Sequence, residues 1–321
     1  MFGKIFDWIG TRLGFVLAIG VWSLATILHA FATSLLSFSI FRGLLGVSEA
    51  GNWPGATKAN AEWFPIHERA LAQGIFNSGA AIGGIVSAPI VGLFFIWFGS
   101  WQATFILIGV LGLLWLVPWL IIYKSGPDSH PWLDEAERDY ILTGQRNTES
   151  GQVAEYAPTS AEILSRRQSW GVIMASFFLD PIWWLFVGWL PLYLFETYGF
   201  GVAEIASYAW IPYVGAMFGA WFGGLLAQNR ISAGWTVNKA RKFVISLGGL
   251  IMLVSLLMTI KAATPMIAVL LMAAILFGFQ TAVGNIQTLP SDFYSGKSVG
   301  SLAGFAGTAA KLAVVLLNFL I

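Results

Sequence analysis

Nine apolar runs, each long enough to cross a hydrocarbon layer as a helix, decide what this chain can become. They read as about Gly14 to Ser34, Leu36 to Thr57, Ala70 to Trp97, Gln102 to Tyr123, Trp170 to Thr197, Ile205 to Ala227, Phe243 to Ile260, Thr264 to Thr288 and Val299 to Ile321. A helix of about 20 residues spans the roughly 30 Å apolar layer. Inside that layer the backbone can satisfy its polar groups only in helices or a closed barrel. With 57% hydrophobic and 10% charged residues, the expected fold class is all-α, a multi-pass membrane protein. The chain has no cysteine, which excludes disulfides, a thiol nucleophile and a thiolate metal site. No cofactor, metal or nucleic-acid partner is expected, and the protein is expected to act as a monomer in the bilayer.

The positions of the basic residues set the topology. If the turn before Gly14 is cytoplasmic and the helices alternate, all but three of the 17 Lys and Arg fall on that side. Lys261 is alone on the other side, and Arg42 and Lys311 are left within spans. So strong an asymmetry fixes orientation by the positive-inside rule. Residues 124–169 are polar and read as a cytoplasmic linker between a four-helix group (1–123) and a five-helix group (170–321). Asp134 followed by Glu137 predicts a capped amphipathic helix from Asp134 to Leu142, against the membrane or the bundle.

Ionised groups at bilayer depth are costly and mark paths for substrates, ions or protons. Arg42 and Glu49 are seven residues apart, two helical turns along one face, and Gly46 between them leaves room beside both. A structural ion pair is the competing reading. Lys311 would lie roughly 18 Å into its helix, too deep to reach the interface. Its partner is either Asp180, at a similar depth, or a substrate anion. Asn77, Gln73, Gln280, Asn285 and Tyr193 are candidates for hydroxyl recognition, although such amides commonly bond helix to helix. Trp183, Trp184 and Trp189 can stack on a ring or face lipid, and His29 reads as a packing residue. Glycines at Gly79 and Gly83, at Gly215, Gly219 and Gly223, and at Gly300 and Gly304 predict close helix contacts. Trp97, Trp101 and Tyr123 are placed for an aromatic belt. A Walker motif and an HExxH motif each lack an essential residue, at Ser291 and Leu71. No enzyme is indicated.

The first polar turn, GKIFDWIGTR, sets Gly3, Asp7, Gly10 and Arg12 in the pattern G-x-x-x-D-x-x-G-x-R. Here the chain resembles the major facilitator superfamily. In that family the loop joins two helices on the cytoplasmic side, and its acid and base latch neighbouring helices in one access state. The matching turn of the second half, from Gly224, has Gln228 at the acidic position, so any latch there must differ, with Arg241 and Lys242 as candidates. The runs RGLLGVSEAGNWPGATKANAEWFP, ERALAQGIFNSGAAIGG and DPIWWLFVGWLPLYL resemble the anion:cation symporters, among them the bacterial hexuronate transporters. The resemblance implies substrate-binding and proton-coupling roles for Arg42 and Glu49, a sugar-acid anion and a proton as partners, and a bacterial cytoplasmic membrane location. It also implies two helices before Gly3 and one after Ile321, so a shortened, non-transporting chain and a symporter for galactonate or glucarate stand as alternatives.

Overall fold

The computed structural model describes residues 2–145, 158–294 and 298–320, and the regular elements within them are helices. In chain order they are α1 (Phe2–Ile9), α2 (Thr11–His29), α3 (Leu35–Glu49), α4 (Asn52–Trp63), α5 (Arg69–Phe98), α6 (Trp101–Ile122) and α7 (Glu135–Gln145). They continue with α8 (Ser160–Ser165), α9 (Arg167–Tyr198), α10 (Val202–Tyr208), α11 (Ile211–Ser232), α12 (Val237–Thr259), α13 (Pro265–Phe293) and α14 (Val299–Leu320). Among the described residues six helices, α2, α6, α9, α12, α13 and α14, are both long and apolar enough to cross a membrane. α5 and α11, at 30 and 22 residues, pack against these spans. The fold is therefore an all-α multi-pass bundle.

Two apolar runs are broken where a single helix was expected. Leu36 to Thr57 divides into α3 and α4 at Ala50 and Gly51. Pro54 has no N–H, and its ring crowds the carbonyl four residues back, so the helix cannot continue through Ala50. Ile205 to Ala227 divides at Ala209 and Trp210, just before Pro212 in the first turn of α11.

Between the two groups of spans, Asp134 accepts the Glu137 N–H at 2.7 Å and starts α7 as its capping sequence predicts. α7 lies on the N-terminal helices: Tyr140 donates to Glu68 at 2.7 Å, and the Ile66 N–H donates to the Gly144 carbonyl at 3.0 Å. Thr159 and Glu162 form a capping box for α8. Residues 146–157 of the expected linker lie outside the described residues.

The central layer is made by α5, α11 and α13, held together by bare backbone. A Cβ at Gly215, Gly219 or Gly223 would fall 2.1, 2.1 or 2.5 Å from the carbonyl oxygens of Ala273, Phe277 and Thr281 on α13. On the other side of α11, a Cβ at Gly74 of α5 would fall 2.3 Å from the Ala220 oxygen. Thr281 adds a hydrogen bond to the Gly219 carbonyl at 3.1 Å. Gly300 and Gly304 meet Gly3 of α1 in the same way. Gly79 and Gly83 do not follow this pattern: nothing lies within 4 Å of a Cβ at either, and Gly79 borders an open cleft between α5 and α11 with Trp221 and Leu225 on its far side.

Other expectations change with burial. Trp97 and Trp101 are exposed as belt residues, whereas Tyr123 is buried, stacks on Trp119 and donates to Glu62. Lys58, counted among the loop cations, is 4% exposed inside the protein. His29 packs between Phe38 and Phe105 with its Nδ1 on the Ala25 carbonyl at 2.7 Å.

The contact distances predict a contrast between two glycines on adjacent helices. Gly219→Ala forces α11 off α13 and is expected to cost about 1–3 kcal/mol. Gly79→Ala meets open space and is expected to stay within about 0.5 kcal/mol of the parent. Thermal unfolding of the purified protein in detergent, followed by size-exclusion chromatography, checks both; equal melting temperatures for the two variants would contradict the packing described.

Candidate functional site

The end of the bundle that carries the basic loops is tied shut by two polar clusters. Gly10, at a φ of 83° that only glycine adopts easily, turns the chain between α1 and α2. This turn presents Asp7 to the start of α14. Its carboxylate accepts from the Gly300 N–H at 3.2 Å, the Ser301 N–H at 2.7 Å and the Ser301 hydroxyl at 2.6 Å. The first-turn N–H groups of a helix lack intrahelical partners and favour a negative charge, so Asp7 satisfies α14 where it is most electropositive. Lys58 of α4 completes the cluster with an ion pair at 3.1 Å, both side chains nearly inaccessible. Burial pushes the Asp7 carboxyl above the usual carboxylate range, against the opposing pull of Ser301 and Lys58. Arg12 acts within the N-terminal helices instead, donating to the Leu120 carbonyl at 3.2 Å.

The second cluster replaces the acid that Gln228 lacks. Arg241 of α12, 1% exposed, binds Asp292 at 3.0 Å, the Asn285 side-chain oxygen at 3.2 Å and the Ile66 carbonyl at 3.1 Å. Arg69, at the start of α5, donates to the carbonyls of Ser291, Ala61 and Phe64 at 2.7, 3.1 and 3.1 Å. Each guanidinium thus joins N-terminal to C-terminal helices, and the fork geometry allows several carbonyls per side chain. Asn285, a sequence candidate for hydroxyl recognition, serves this cluster and the Gly223 carbonyl.

Above these clusters α4, α5, α9, α13 and α14 enclose a cavity with about 940 Å³ of empty space, counting its mouth. Asn77, Gln280 and Lys311, all read from the sequence as candidates, line it. So do Asp180, Trp183 and Trp184 of α9, Trp53 and Thr57 of α4, and Gln287 of α13. Lys311 pairs with Asp180 at 3.1 Å and sits 4.3 Å above the Trp184 ring, with 53% of its side chain exposed. Trp183 stands against Tyr213 and Phe279, forming an aromatic wall. The Gln280 side-chain oxygen is buried with no hydrogen-bond partner among the described residues, so the cavity holds an unused polar atom.

The floor is a ladder of amides. Asn60 donates to Gln73 at 2.8 Å, and Gln73 donates to Asn77 at 3.1 Å and to Gln287 at 3.0 Å. Asn77 donates to the same Gln287 oxygen at 2.9 Å. Helices α4 and α5 are thereby bonded to α13 without any charge. The sequence reading missed Gln287, Trp53 and Thr57. For Gln287 the signal was its position seven residues after Gln280, on one face of α13.

Arg42 and Glu49 both lie on α3, as their spacing predicts, and both are exposed. Nothing lies within 4 Å of a Cβ at Gly46, so the space between them is open. Among the described residues neither forms an ion pair within 4 Å, yet the charges acting on Glu49 are those of Arg42 and of Lys311 from the cavity wall. Glu49 is the last residue of α3, directly before the break. Tyr193 is not brought to the cavity: it packs on Tyr198 beside Leu190 and Leu194 near the far end of α9.

Apolar helices around a largely apolar cavity that holds one ion pair and three amides, tied together at one end, suit a membrane protein of the transporter class. The Major Facilitator Superfamily profile matches residues 1–317, and the chain belongs to that family. The hexuronate transporter of Escherichia coli (strain K12) is 35% identical over 317 residues, covering 98% of this chain and 72% of the relative. The galacturonate transporter of Dickeya chrysanthemi is 37% identical over 254 residues, 78% of this chain and 72% of that one. Among solved structures, the human organic anion transporter MFSD10 (TETRAN) superposes with a TM-score of 0.66 at 14% identity, covering 98% of this chain and 71% of that chain, a likeness of fold.

The Asp7 cluster predicts where backbone protection is lost. Asp7→Asn removes the charge that holds the first turn of α14 and leaves Lys58 buried without an anion. Hydrogen exchange at Gly300 and Ser301 is expected to rise at least about tenfold. Arg12→Gln, which touches only the N-terminal helices, leaves those amides unchanged. Unaltered exchange in Asp7→Asn contradicts the latch.

Proposed function

We propose that this protein is a secondary transporter that moves hexuronates such as glucuronate or galacturonate, together with a proton, across the bacterial cytoplasmic membrane. The observation that carries this reading is the cavity, which sets a lysine among tryptophans and amides, one of which, Gln280, has a side-chain oxygen without a partner among the described residues. A sugar acid has the matching chemistry: a carboxylate for the cation, hydroxyls for amides, and a ring face for an indole. The relatives named as hexuronate and galacturonate transporters support the same class of anion.

Alternating access follows from the placement of the clusters. Residues 1–123 and 170–321 act as two bundles, with 124–169 as the link between them. The basic end is cytoplasmic by the positive-inside rule, so the arrangement with that end closed faces outward. Opening requires α1 to leave α14, and Arg69 and Arg241 to release their carbonyls. Gly3, Asp7, Gly10 and Arg12 form the gating turn of this movement. Arg42 and Glu49 act as a coupled pair. A substrate anion near the guanidinium weakens its hold on Glu49, which then accepts a proton. Asn77, Gln280 and Tyr193 are the proposed hydroxyl contacts, with Tyr193 requiring a movement of α9 to reach the cavity.

Uptake of labelled glucuronate into proteoliposomes with an imposed proton gradient tests the reading. Accumulation is expected with an acidic exterior, and excess galacturonate is expected to compete better than galactonate or glucarate. Glu49→Gln is expected to lower gradient-driven accumulation about tenfold under a gradient of about one pH unit, the ratio that coupling to one proton supplies. Lys311→Gln is expected to weaken glucuronate binding by a similar factor. Absence of accumulation by the parent protein, or undiminished accumulation in Glu49→Gln, overturns the coupling assignment.

A further inference from the structure

Hydrogen bonds between the two halves of the chain are of two kinds. Among the described residues, those at the basic end run from Asp7 to Gly300 and Ser301, from Arg69 to Ser291 and from Arg241 to Ile66. None of these residues lines the cavity. The others are the amide bonds of Gln73 and Asn77 to Gln287, and Asn77 and Gln287 do line it. A molecule in the cavity therefore meets the closed end through this amide pair. We propose that Asn77 and Gln287 form a hydroxyl-sensing contact: a carboxylate alone fills the cavity, but the closed end is released by a bound anion that also carries hydroxyls. The proposal rests on the reading of this cavity as a sugar-acid site.

The contact is built as donors facing one acceptor. The Gln287 side-chain oxygen takes a bond from Gln73 at 3.0 Å and another from Asn77 at 2.9 Å. Gln73 and Asn77 are fully buried, bonded to each other at 3.1 Å, and Gln73 is fixed from behind by Asn60 at 2.8 Å. Parting α5 from α13 strands these groups in surroundings of low dielectric, and that cost holds the halves together.

A ligand moves such an equilibrium only by what it gains in one state over the other. A hydroxyl has one donor and two acceptor lone pairs. It can donate to Gln287 and accept from Asn77, so both ends stay satisfied as the helices part. A carboxylate only accepts; it meets Asn77 and leaves the Gln287 oxygen bare. Gln280, seven residues earlier on the same face of α13, presents a second buried oxygen without a partner among the described residues. A ligand with several hydroxyls can serve both oxygens at once. Charge then governs entry, through Lys311, and hydroxyls govern release.

The test compares glucuronate with cyclohexanecarboxylate, which keeps the ring and the carboxylate and has no hydroxyl, on the purified full chain in mildly acidic buffer. Calorimetry brings each ligand to saturation, and hydrogen exchange at Gly300 and Ser301 reports release of the closed end. In the parent both ligands are expected to bind, and exchange with glucuronate is expected to exceed that with cyclohexanecarboxylate at least about fivefold, the worth of one neutral hydrogen bond. Gln287→Met keeps the length of the side chain and removes the acceptor. Exchange is then expected to rise without ligand, and the ratio between the two ligands to fall below about twofold. A merely structural role of Gln287 would raise exchange but keep the parent ratio, and that result overturns the proposal. Equal exchange with the two ligands in the parent also overturns it, a comparison that holds whether or not the variant folds. Cyclohexanecarboxylate that fails to bind in about hundredfold excess overturns it as well, since hydroxyls would then decide binding itself. Parent protein that binds no glucuronate contradicts the sugar-acid reading instead, so the two failures are distinct.

Discussion

Backbone contact between α5, α11 and α13 is the constraint on which the rest of the molecule depends. Helices in hydrocarbon gain nothing by hiding apolar surface from one another, so they associate where shape allows their backbones to meet. Three glycines in a row on α11 lie against α13, and Gly74 of α5 lies against its other side. This layer joins a helix from the N-terminal part of the chain to two from the C-terminal part. The cavity and its floor take their positions from it. α13 brings Gln280 and Gln287 to one wall, and α5 brings Asn77 opposite them.

Electrostatics imposes a second order on the same frame. Among the described residues, the buried charges of Asp7, Lys58, Arg69, Arg241 and Asp292 each have a partner of opposite sign or a cluster of carbonyls, several of them from distant parts of the sequence. Asp7 serves Lys58 and the first turn of α14; Arg241 serves Asp292 and the loop before α5. The two clusters close one end by unlike chemistry. One is an acid at a helix N-terminus, the other a pair of guanidinium groups gathering carbonyls from helix ends. This difference answers to the sequence, where the turn after Gly224 carries Gln228 in place of an acid.

Much of the fold was legible because hydropathy leaves few alternatives for a chain of this composition. The spans, the capped linker helix and the Gly215, Gly219 and Gly223 face could be read directly. The break after Glu49 was written in Gly51 and Pro54, but the apolar run around them outweighed those residues. Gly79 and Gly83 show the limit of spacing arguments, since periodicity identifies a smooth face without saying what meets it. The site was only half visible for a similar reason. Lys311, Asn77 and Gln280 stood out as polar groups in apolar runs. The contact between Asp7 and Ser301 crosses nearly the whole chain, and no local pattern encodes it. Tyr193 has the right chemistry for a ligand contact, yet its position on α9 turns it toward Tyr198.

The amide ladder beneath the cavity is made from side chains that each carry donors and acceptors, and one Gln287 oxygen takes two of its rungs. Uncharged groups of this kind trade one neighbour for another, or for water or a sugar hydroxyl, at nearly constant free energy. A floor built this way ties α4 and α5 to α13 by bonds that a hydroxyl or a water could take over one at a time.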